Sequence, residues 1–168
     1  GYPDLVLPLV SQSELSTEEI FDAHLLALAT LHRNEEITTL LAAWLPNETN
    51  LDRLKKLGET LRGNSLDEAA EIIYLKILSI APEDREGLRE LGNLYFNLGA
   101  FHVSYYYLSY YICLYDPDPV SLFHYAEIYN RDGDRIHAYP FYWAAINKIT
   151  RETPKLESDL SDILAISY

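Results

Sequence analysis

Several residue types are scarce or missing in this chain of 168 residues, and each absence excludes something. Basic residues number 13 against 26 acidic ones, and the formal net charge of −13 argues against nucleic acid or an anionic membrane surface as a partner. Methionine is absent and the chain begins with Gly1, so we expect a processed fragment or an engineered chain. No run of about 18 apolar residues occurs and the N-terminus lacks the basic start of a signal peptide, so we expect a cytosolic protein.

Cysteine occurs once, as Cys113, in an apolar stretch with helical character. A single cysteine cannot form an internal disulfide, which suits a reducing compartment. We expect its side chain to be buried as a small apolar group.

Motifs of an enzyme or a metal site are also missing. The five histidines are scattered over different predicted helices, and none forms an i, i+4 pair with another His or Cys. The chain has no nucleophile elbow, glycine-rich phosphate loop or zinc spacing. Acidic pairs such as Glu18 and Glu19 lie at predicted helix starts, where they complement the helix dipole. We therefore expect no catalytic residue, no metal and no cofactor.

The chain does contain a pattern that returns three times between residues 51 and 152. Small residues recur 34 positions apart, at Gly58, Gly92 and Ala126. The second half of each unit has its own small residue at the same spacing: Ala70, Ser104 and Ala138. Large apolar residues recur at the same spacing around the first set. They are Leu54, Leu88 and Leu122 four positions before it, and Leu61, Tyr95 and Tyr129 three positions after it. This period resembles the tetratricopeptide repeat, a helix–turn–helix unit.

The resemblance implies an all-α fold with three tandem repeats over residues 51–152, stacked into a short concave solenoid because one unit cannot bury its own apolar face. The pattern predicts first helices over 51–62, 84–97 and 119–130, and second helices over 66–80, 101–115 and 135–150. The first pair should turn at Gly63-Asn64. Outside the repeats we expect an extended segment over 1–12, helices within 13–47 (16–34 and 37–45), and a capping helix over 155–168.

The third unit carries a more specific pattern. Residues 116–119 read Asp-Pro-Asp-Pro and precede a set that follows the form Phe-His-x-Ala-Glu: Phe123, His124, Ala126 and Glu127. Together with the repeats, this pattern resembles the class II chaperones of bacterial type III secretion, which guard translocator proteins. The resemblance covers the three repeats and, more loosely, the helices from about residue 16. It implies a non-enzymatic protein of the bacterial cytoplasm that keeps its client soluble and unassembled before export.

Members of that family bind a translocator segment of the form Pro-x-Leu-x-x-Pro in the concave groove. Residues 1–12 have this form at Pro3, Leu5 and Pro8. They are either a translocator-derived peptide joined ahead of the chaperone or a natural arm that occupies the groove in cis or in a neighbouring copy. The alternative is a chance match within an apolar segment. Two prolines preset an extended backbone, so less conformational entropy is lost on docking.

The concave positions of such repeats come from the first helix of each unit. The resemblance places nine candidate groove residues there: Lys55, Glu59, Arg62, Arg89, Asn93, Phe96, Phe123, Glu127 and Asn130. We expect Phe96 and Phe123 to form pocket walls, and Asn93 and Asn130 to donate hydrogen bonds to a peptide backbone. The charged members have a second interpretation as a solvated rim.

A second class of function stays open, a structural adaptor in a larger bacterial assembly. One predicted helix of the second unit holds five of the 14 tyrosines, Tyr105, Tyr106, Tyr107, Tyr110 and Tyr111. Consecutive helical positions point about 100° apart, so some of these rings must lie on the outer face, with Tyr106 and Tyr110 as interface candidates. The alternative is that they pack on neighbouring helices with their hydroxyls in water. The helices within 13–47 could cap the repeats or form a homodimer.

Overall fold

Helices make up most of the chain that the computed structural model describes, residues 17–31 and 33–152. This part contains no strand, and the all-α prediction is confirmed. Its eight α-helices are α1 Thr17–Thr30, α2 Asn34–Trp44, α3 Leu51–Gly63, α4 Asp67–Ile80, α5 Arg85–Asn97, α6 Phe101–Leu114, α7 Pro119–Arg131 and α8 Arg135–Glu152, with a 3-10 helix η1 at Leu45–Asn47. The predicted segments 1–12 and 155–168, and the expected helix start at Ser16, lie outside the described residues.

The chain divides into two compact units, residues 1–87 and 88–168. In the first unit α1 packs on α2, α2 packs on α4, and α3 pairs with α4. In the second unit α7 packs on both α6 and α8. Each helix pair therefore buries its apolar face against a neighbour within its own unit.

Arg53 of α3 connects the N-terminal helices to the first repeat. Its guanidinium forms ion pairs with Glu48 at 3.2 Å and Asp22 at 3.1 Å. The same group lies 4.8 Å from the centre of the Trp44 ring, which stacks on Phe21 of α1 at 4.4 Å. The Arg53 side chain is only 12% exposed, so these interactions are partly shielded from water and hold α1 and the end of α2 against α3.

Small residues let the two helices of a pair approach closely. A Cβ placed on Gly58 would lie 2.8 Å from the Cζ of Tyr74, and one on Gly92 would lie 2.5 Å from the Cδ2 of Leu108. Ala126 is fully buried at the same position of the third unit. The small residues of the second helices are buried as well: Ala70, Ser104 and Ala138. The 34-residue pattern thus marks the points of closest packing.

A single residue with a positive φ follows the first helix of each pair. This residue is Gly99, with φ 76°, in the second repeat and Gly133, with φ 82°, in the third repeat. The first repeat has Ser65 there, with φ 59°, and α3 continues through Gly63. The turn predicted at Gly63-Asn64 therefore lies one residue later, at Asn64-Ser65, because Gly63 is still helical. A left-handed backbone costs a residue with a Cβ about 1 kcal/mol, so only the first pair holds this strain.

The six repeat helices begin and end within two residues of their predicted bounds. The helices before the repeats differ more, since α1 ends at Thr30 instead of near Asn34, and α2 begins at Asn34 instead of Ile37. Glu35 and Glu36 lie in the first turn of α2, where they complement its dipole. Their charges favour the earlier start.

Helix α8 continues through Pro140, which has no amide hydrogen to donate to the Ile136 carbonyl. Asp134 stabilises the start of this helix. Its side chain accepts a hydrogen bond from the His137 amide at 3.2 Å, and its carbonyl accepts one from the Ala138 amide at 3.1 Å. These two bonds cap the first turn of α8, ahead of the proline.

Cys113 is exposed, so the prediction of a buried thiol was wrong. The buried positions of α6 are Ser104, Leu108 and Tyr111, which lie on one face at spacings of four and three residues. Cys113 comes two residues after Tyr111, about 200° further around the helix. The sequence around Cys113 is apolar because the outer face of α6 is apolar as well as its buried face.

The close approach at Gly58 predicts opposite effects for two similar substitutions on α3. Gly58→Ala should destabilise the protein by about 1–3 kcal/mol, because the added methyl meets the buried Tyr74 ring. Gly63→Ala should stabilise it by about 0.5–1 kcal/mol, because nothing lies within 4 Å and alanine favours the helix. Urea unfolding followed by circular dichroism measures both. Equal effects of the two substitutions would contradict the close-packing role of Gly58.

Candidate functional site

The groove candidates of the first unit are mostly engaged or solvated. The ammonium of Lys55 pairs with the Asp84 carboxylate at 2.6 Å, and this hydrogen bond raises the pKa of Lys55. Glu59 is exposed and Arg62 is half-buried. Along α3 these side chains form a polar row in which Lys55 already has an acidic partner within the unit.

Asn93 lies inside the second unit, with only 8% of the residue exposed. Its Nδ2 donates to the Ser121 hydroxyl at 3.1 Å, and its Oδ1 lies 2.9 Å from the Nδ1 of His124. The Ser121 hydroxyl also donates to the Asp118 carboxylate at 2.7 Å. This buried chain joins α5 to α7. A peptide would have to displace these bonds to reach the Asn93 amide.

Phe96 is half-buried and stacks on the His124 imidazole, with ring centres 4.0 Å apart. The edge of Phe101 contacts the same ring at 5.5 Å. On the same helix as Phe96, the guanidinium of Arg89 pairs with the carboxylate of Glu90 at 2.7 Å. Asn93, Phe96 and His124 therefore form one cluster. Of these, His124 entered the sequence analysis only through the Phe-His-x-Ala-Glu pattern.

Phe123 and Asn130 are exposed on α7, and Glu127 lies between them half-buried. The Phe123 ring lies 5.8 Å from the ring of Tyr142 on α8, whose hydroxyl donates to the Glu127 carboxylate. Burial and this hydrogen bond raise the pKa of Tyr142 to about 12. Tyr142 thus fixes the side chain of one groove candidate and contacts another, although the sequence analysis did not single it out.

An apolar cavity of about 300 Å³ opens beside Phe123, and we call it the α7–α8 groove. It is lined by Pro119, Val120, Phe123, Tyr142, Ala145, Ile146 and Ile149. None of these side chains is charged. The sequence analysis missed this groove, although Tyr142, Ile146 and Ile149 recur at the i, i+4, i+7 spacing of one helix face.

Some tyrosines of α6 pack on neighbouring side chains and others are exposed, so both interpretations of this helix apply, each to part of the set. Tyr111 is fully buried, and Tyr105 stacks on Tyr125 with ring centres 5.3 Å apart. Tyr106 and Tyr110 are 56% and 49% exposed, and their rings contact each other at 5.2 Å. Some of these rings therefore pack within the unit, while the pair named as interface candidates lies at the surface.

The exposed tyrosines belong to a longer row, the α6 stripe, formed by Val103, Tyr106, Tyr110 and Leu114. These side chains are 40–56% exposed and recur at spacings of three and four residues along one face. Helix α6 contains no Asp, Glu, Lys or Arg. Among the described residues, 13 of the 16 exposed large apolar side chains lie in residues 88–168, so the apolar surface concentrates in the second unit.

The described residues hold no group of three or more His, Cys, Asp or Glu side chains placed to bind a metal ion. Within residues 17–31 and 33–152, each helix is too short or too polar to cross a membrane.

The chain is similar in fold to several solved structures of MamA. The structure described as MamA MSR-1 C2 aligns with a TM-score of 0.62 over 91% of this chain and 90% of that chain, at 17% identity. MamA 41-end from Desulfovibrio magneticus RS-1 gives 0.61 over 91% and 88%, also at 17% identity. A further crystal structure of MamA gives 0.63 over 88% and 87%, at 12% identity.

Identities this low show the fold alone, which is an all-helical fold of the tetratricopeptide type. No protein-family model matches the chain, and no curated protein matches its sequence. The type III secretion chaperone therefore stays a prediction.

Asp118 caps α7 and ends the buried chain that starts at Asn93. Its carboxylate accepts hydrogen bonds from the Ser121 amide at 3.0 Å and from the Tyr111 hydroxyl at 3.3 Å, besides the Ser121 hydroxyl. Burial alone would raise the pKa of Asp118, but the bonds from Ser121, with Arg89 nearby, hold it below its usual value.

Acidification is expected to destabilise the second unit through Asp118. Its pKa is lower in the folded protein than in the unfolded chain, so its contribution is present above about pH 4 and is lost as the pH falls through the folded pKa. Asp118→Asn removes the charge, so its urea midpoint should change less than that of the wild type between about pH 7 and about pH 3. Asp132→Asn, at the exposed far end of α7, is the matched control. The same loss of pH dependence in both variants would refute the assignment.

Proposed function

We propose that the protein is a non-enzymatic adaptor or scaffold that holds a partner protein through the α6 stripe. The observation that carries this proposal is the row of four exposed apolar side chains on a helix without charge. Exposed apolar residues are ordinary when they are scattered, but a contiguous row rich in tyrosine is typical of a protein interface.

The composition of the stripe suits binding. Tyrosine supplies a large, rigid contact area, and its hydroxyl keeps the free surface wetted. The protein carries a net charge of −13, so a helix free of charge is a surface that a partner can cover without burying an unpaired carboxylate. The partner should therefore present an apolar or aromatic surface.

The likeness to the MamA structures supports a repeat scaffold of the tetratricopeptide type. Repeat folds present extended surfaces to other proteins, and their helices need no chemistry beyond packing. We assign the partner to a larger bacterial assembly, in which this chain serves as a structural component.

Removing the two exposed rings of the stripe should weaken partner capture. Tyr106→Ala with Tyr110→Ala is expected to reduce affinity at least ~30-fold, because truncating an interface tyrosine costs about 1 kcal/mol or more. Proteins retained by the tagged chain are quantified by mass spectrometry, and the dissociation constant is measured with the purified partner. Leu75→Ala with Ile80→Ala removes two similarly exposed side chains from α4 as a control. Capture retained in the tyrosine variant, or lost equally in the control, would refute the proposal.

A second candidate function is a type III secretion chaperone that holds an extended translocator segment. It is favoured by the presence of two matching patterns in one chain, the Phe-His-x-Ala-Glu form at 123–127 and the Pro-x-Leu-x-x-Pro form at 3–8. In this function the exposed Phe123 and Asn130 of the second unit contact the segment. The client stays soluble in the bacterial cytoplasm because its apolar anchors are covered.

The anchors in residues 1–12 give this candidate its own test. Leu5→Ala with Pro8→Ala should lower the melting temperature by several degrees, because residues 1–12 lose the side chains that would fill the peptide-binding groove. Val6→Ala with Leu7→Ala truncates two apolar residues outside the anchor positions and should change it little. A synthetic peptide of residues 1–12 should restore the first variant. An unchanged melting temperature in the first variant, or an equal loss in both, would count against the chaperone.

A further inference from the structure

The α7–α8 groove is an open apolar surface without a cover among the described residues. Val120 and Phe123 of α7 are 55% and 46% exposed, and Ile146 and Ile149 of α8 are 50% and 41% exposed. All four line the same cavity. Apolar side chains grouped in this way are costly to leave in water, so the groove is a candidate docking surface.

The chain itself leaves α8 beside this groove. Lys148 pairs with Asp116 at 2.5 Å, and Tyr142 bonds to Glu127, so α7 and α8 run antiparallel. The last residues of α8 therefore lie next to the first residues of α7. Helix α8 is described as far as Glu152, and Pro154 disfavours its direct continuation.

The residues after Pro154 continue the 34-residue pattern. Leu156 comes 34 positions after Leu122 and takes the place of a leucine that is buried in each described repeat, as Leu54, Leu88 and Leu122. Ile163 comes 34 positions after Tyr129. Residues 155–168 thus have the spacing of the first helix of a fourth repeat.

Two departures from the pattern suit a helix that packs on one side only. Leu160 replaces the small residue that elsewhere lets a second helix approach, as at Gly92 and Ala126. Asp159 replaces a residue that is buried in the described repeats, such as Tyr125 against Phe141. At about 100° per residue, Leu156, Leu160 and Ile163 share one face of such a helix, and Asp159 lies at the edge of that face.

We propose that residues 155–168 dock in the α7–α8 groove of the same chain as the first helix of a fourth repeat. Leu156, Leu160 and Ile163 cover Val120, Ile146 and Ile149. As a helix the segment would be about 21 Å long, close to the length of α7, so it can run along the whole of α7. Docking buries the apolar surface of both partners, with Asp159 at the edge of the covered face.

Amide hydrogen exchange of the full chain tests the docking directly. Amides of residues 156–166 should exchange at least ~10-fold more slowly than in a synthetic peptide of residues 153–168. Ile146→Asp should remove this protection, because a carboxylate in the groove opposes apolar burial. Ile136→Asp places the same charge on the same helix at a residue that is 84% exposed and outside the groove, and it should leave the protection intact.

Each outcome of the exchange measurement decides the proposal. Peptide-like exchange in the unsubstituted chain, or protection that survives Ile146→Asp, overturns the docking. Protection that falls on dilution in parallel with a dimer seen by sedimentation shows that a second copy supplies the segment, which overturns docking within one chain. Amides of α7 and α8 serve as the internal reference for folding of both variants.

A reciprocal variant tests the groove by a different signal. Leu156→Asp should release the segment and expose the groove, so binding of the dye ANS should rise several-fold over the unsubstituted chain. Ile146→Asp together with Leu156→Asp should show a smaller rise, because the groove then carries a charge. Asp162→Asn, about 120° around the helix from Leu156, should leave dye binding unchanged. An unchanged signal in Leu156→Asp would contradict the proposal.

Discussion

Each pair of helices depends on how closely two backbones can approach at one small residue. Gly58 lies under the Tyr74 ring and Gly92 under the Leu108 side chain, with no room for a methyl group. At the second contact the Ser104 hydroxyl donates to the Gly92 carbonyl over 2.7 Å, so the approach also satisfies a buried polar group. The apolar residues on either side of the glycine are then brought into contact, and the pair becomes one packing unit.

The repeats made most of the fold predictable, because a period of 34 residues fixes both the packing positions and the spacing of the turns. The predictions that were wrong concern residues that the 34-residue pattern does not determine. Ser65 holds the turn position that glycine holds elsewhere, and the nearby Gly63 was mistaken for it. Cys113 was predicted to be buried because its neighbours in the sequence are apolar. It is exposed, because the outer face of α6 is apolar as well as its buried face.

The candidate site was less predictable than the fold, because its side chains are fixed by partners far away in the sequence. Asn93 has the type and spacing of a groove donor, yet its amide is held by Ser121 and His124, which lie 28 and 31 residues away. Glu127 is likewise held by Tyr142. A helical offset can place such a residue on a face, but only the packed structure decides whether its polar atoms remain available.

Pro140 makes the stability of the second unit uneven. The backbone bond that it removes would have joined the first turn of α8 to the rest of the helix, and Ile136 in that turn is almost fully exposed. The free energy needed to open residues 135–137, which precede the buried Ala138, is therefore small compared with that for the buried turn around Ala145. Local fraying can thus begin at the loop between α7 and α8 without unfolding the rest of the unit, so the start of α8 around Ile136 is less stable than its middle.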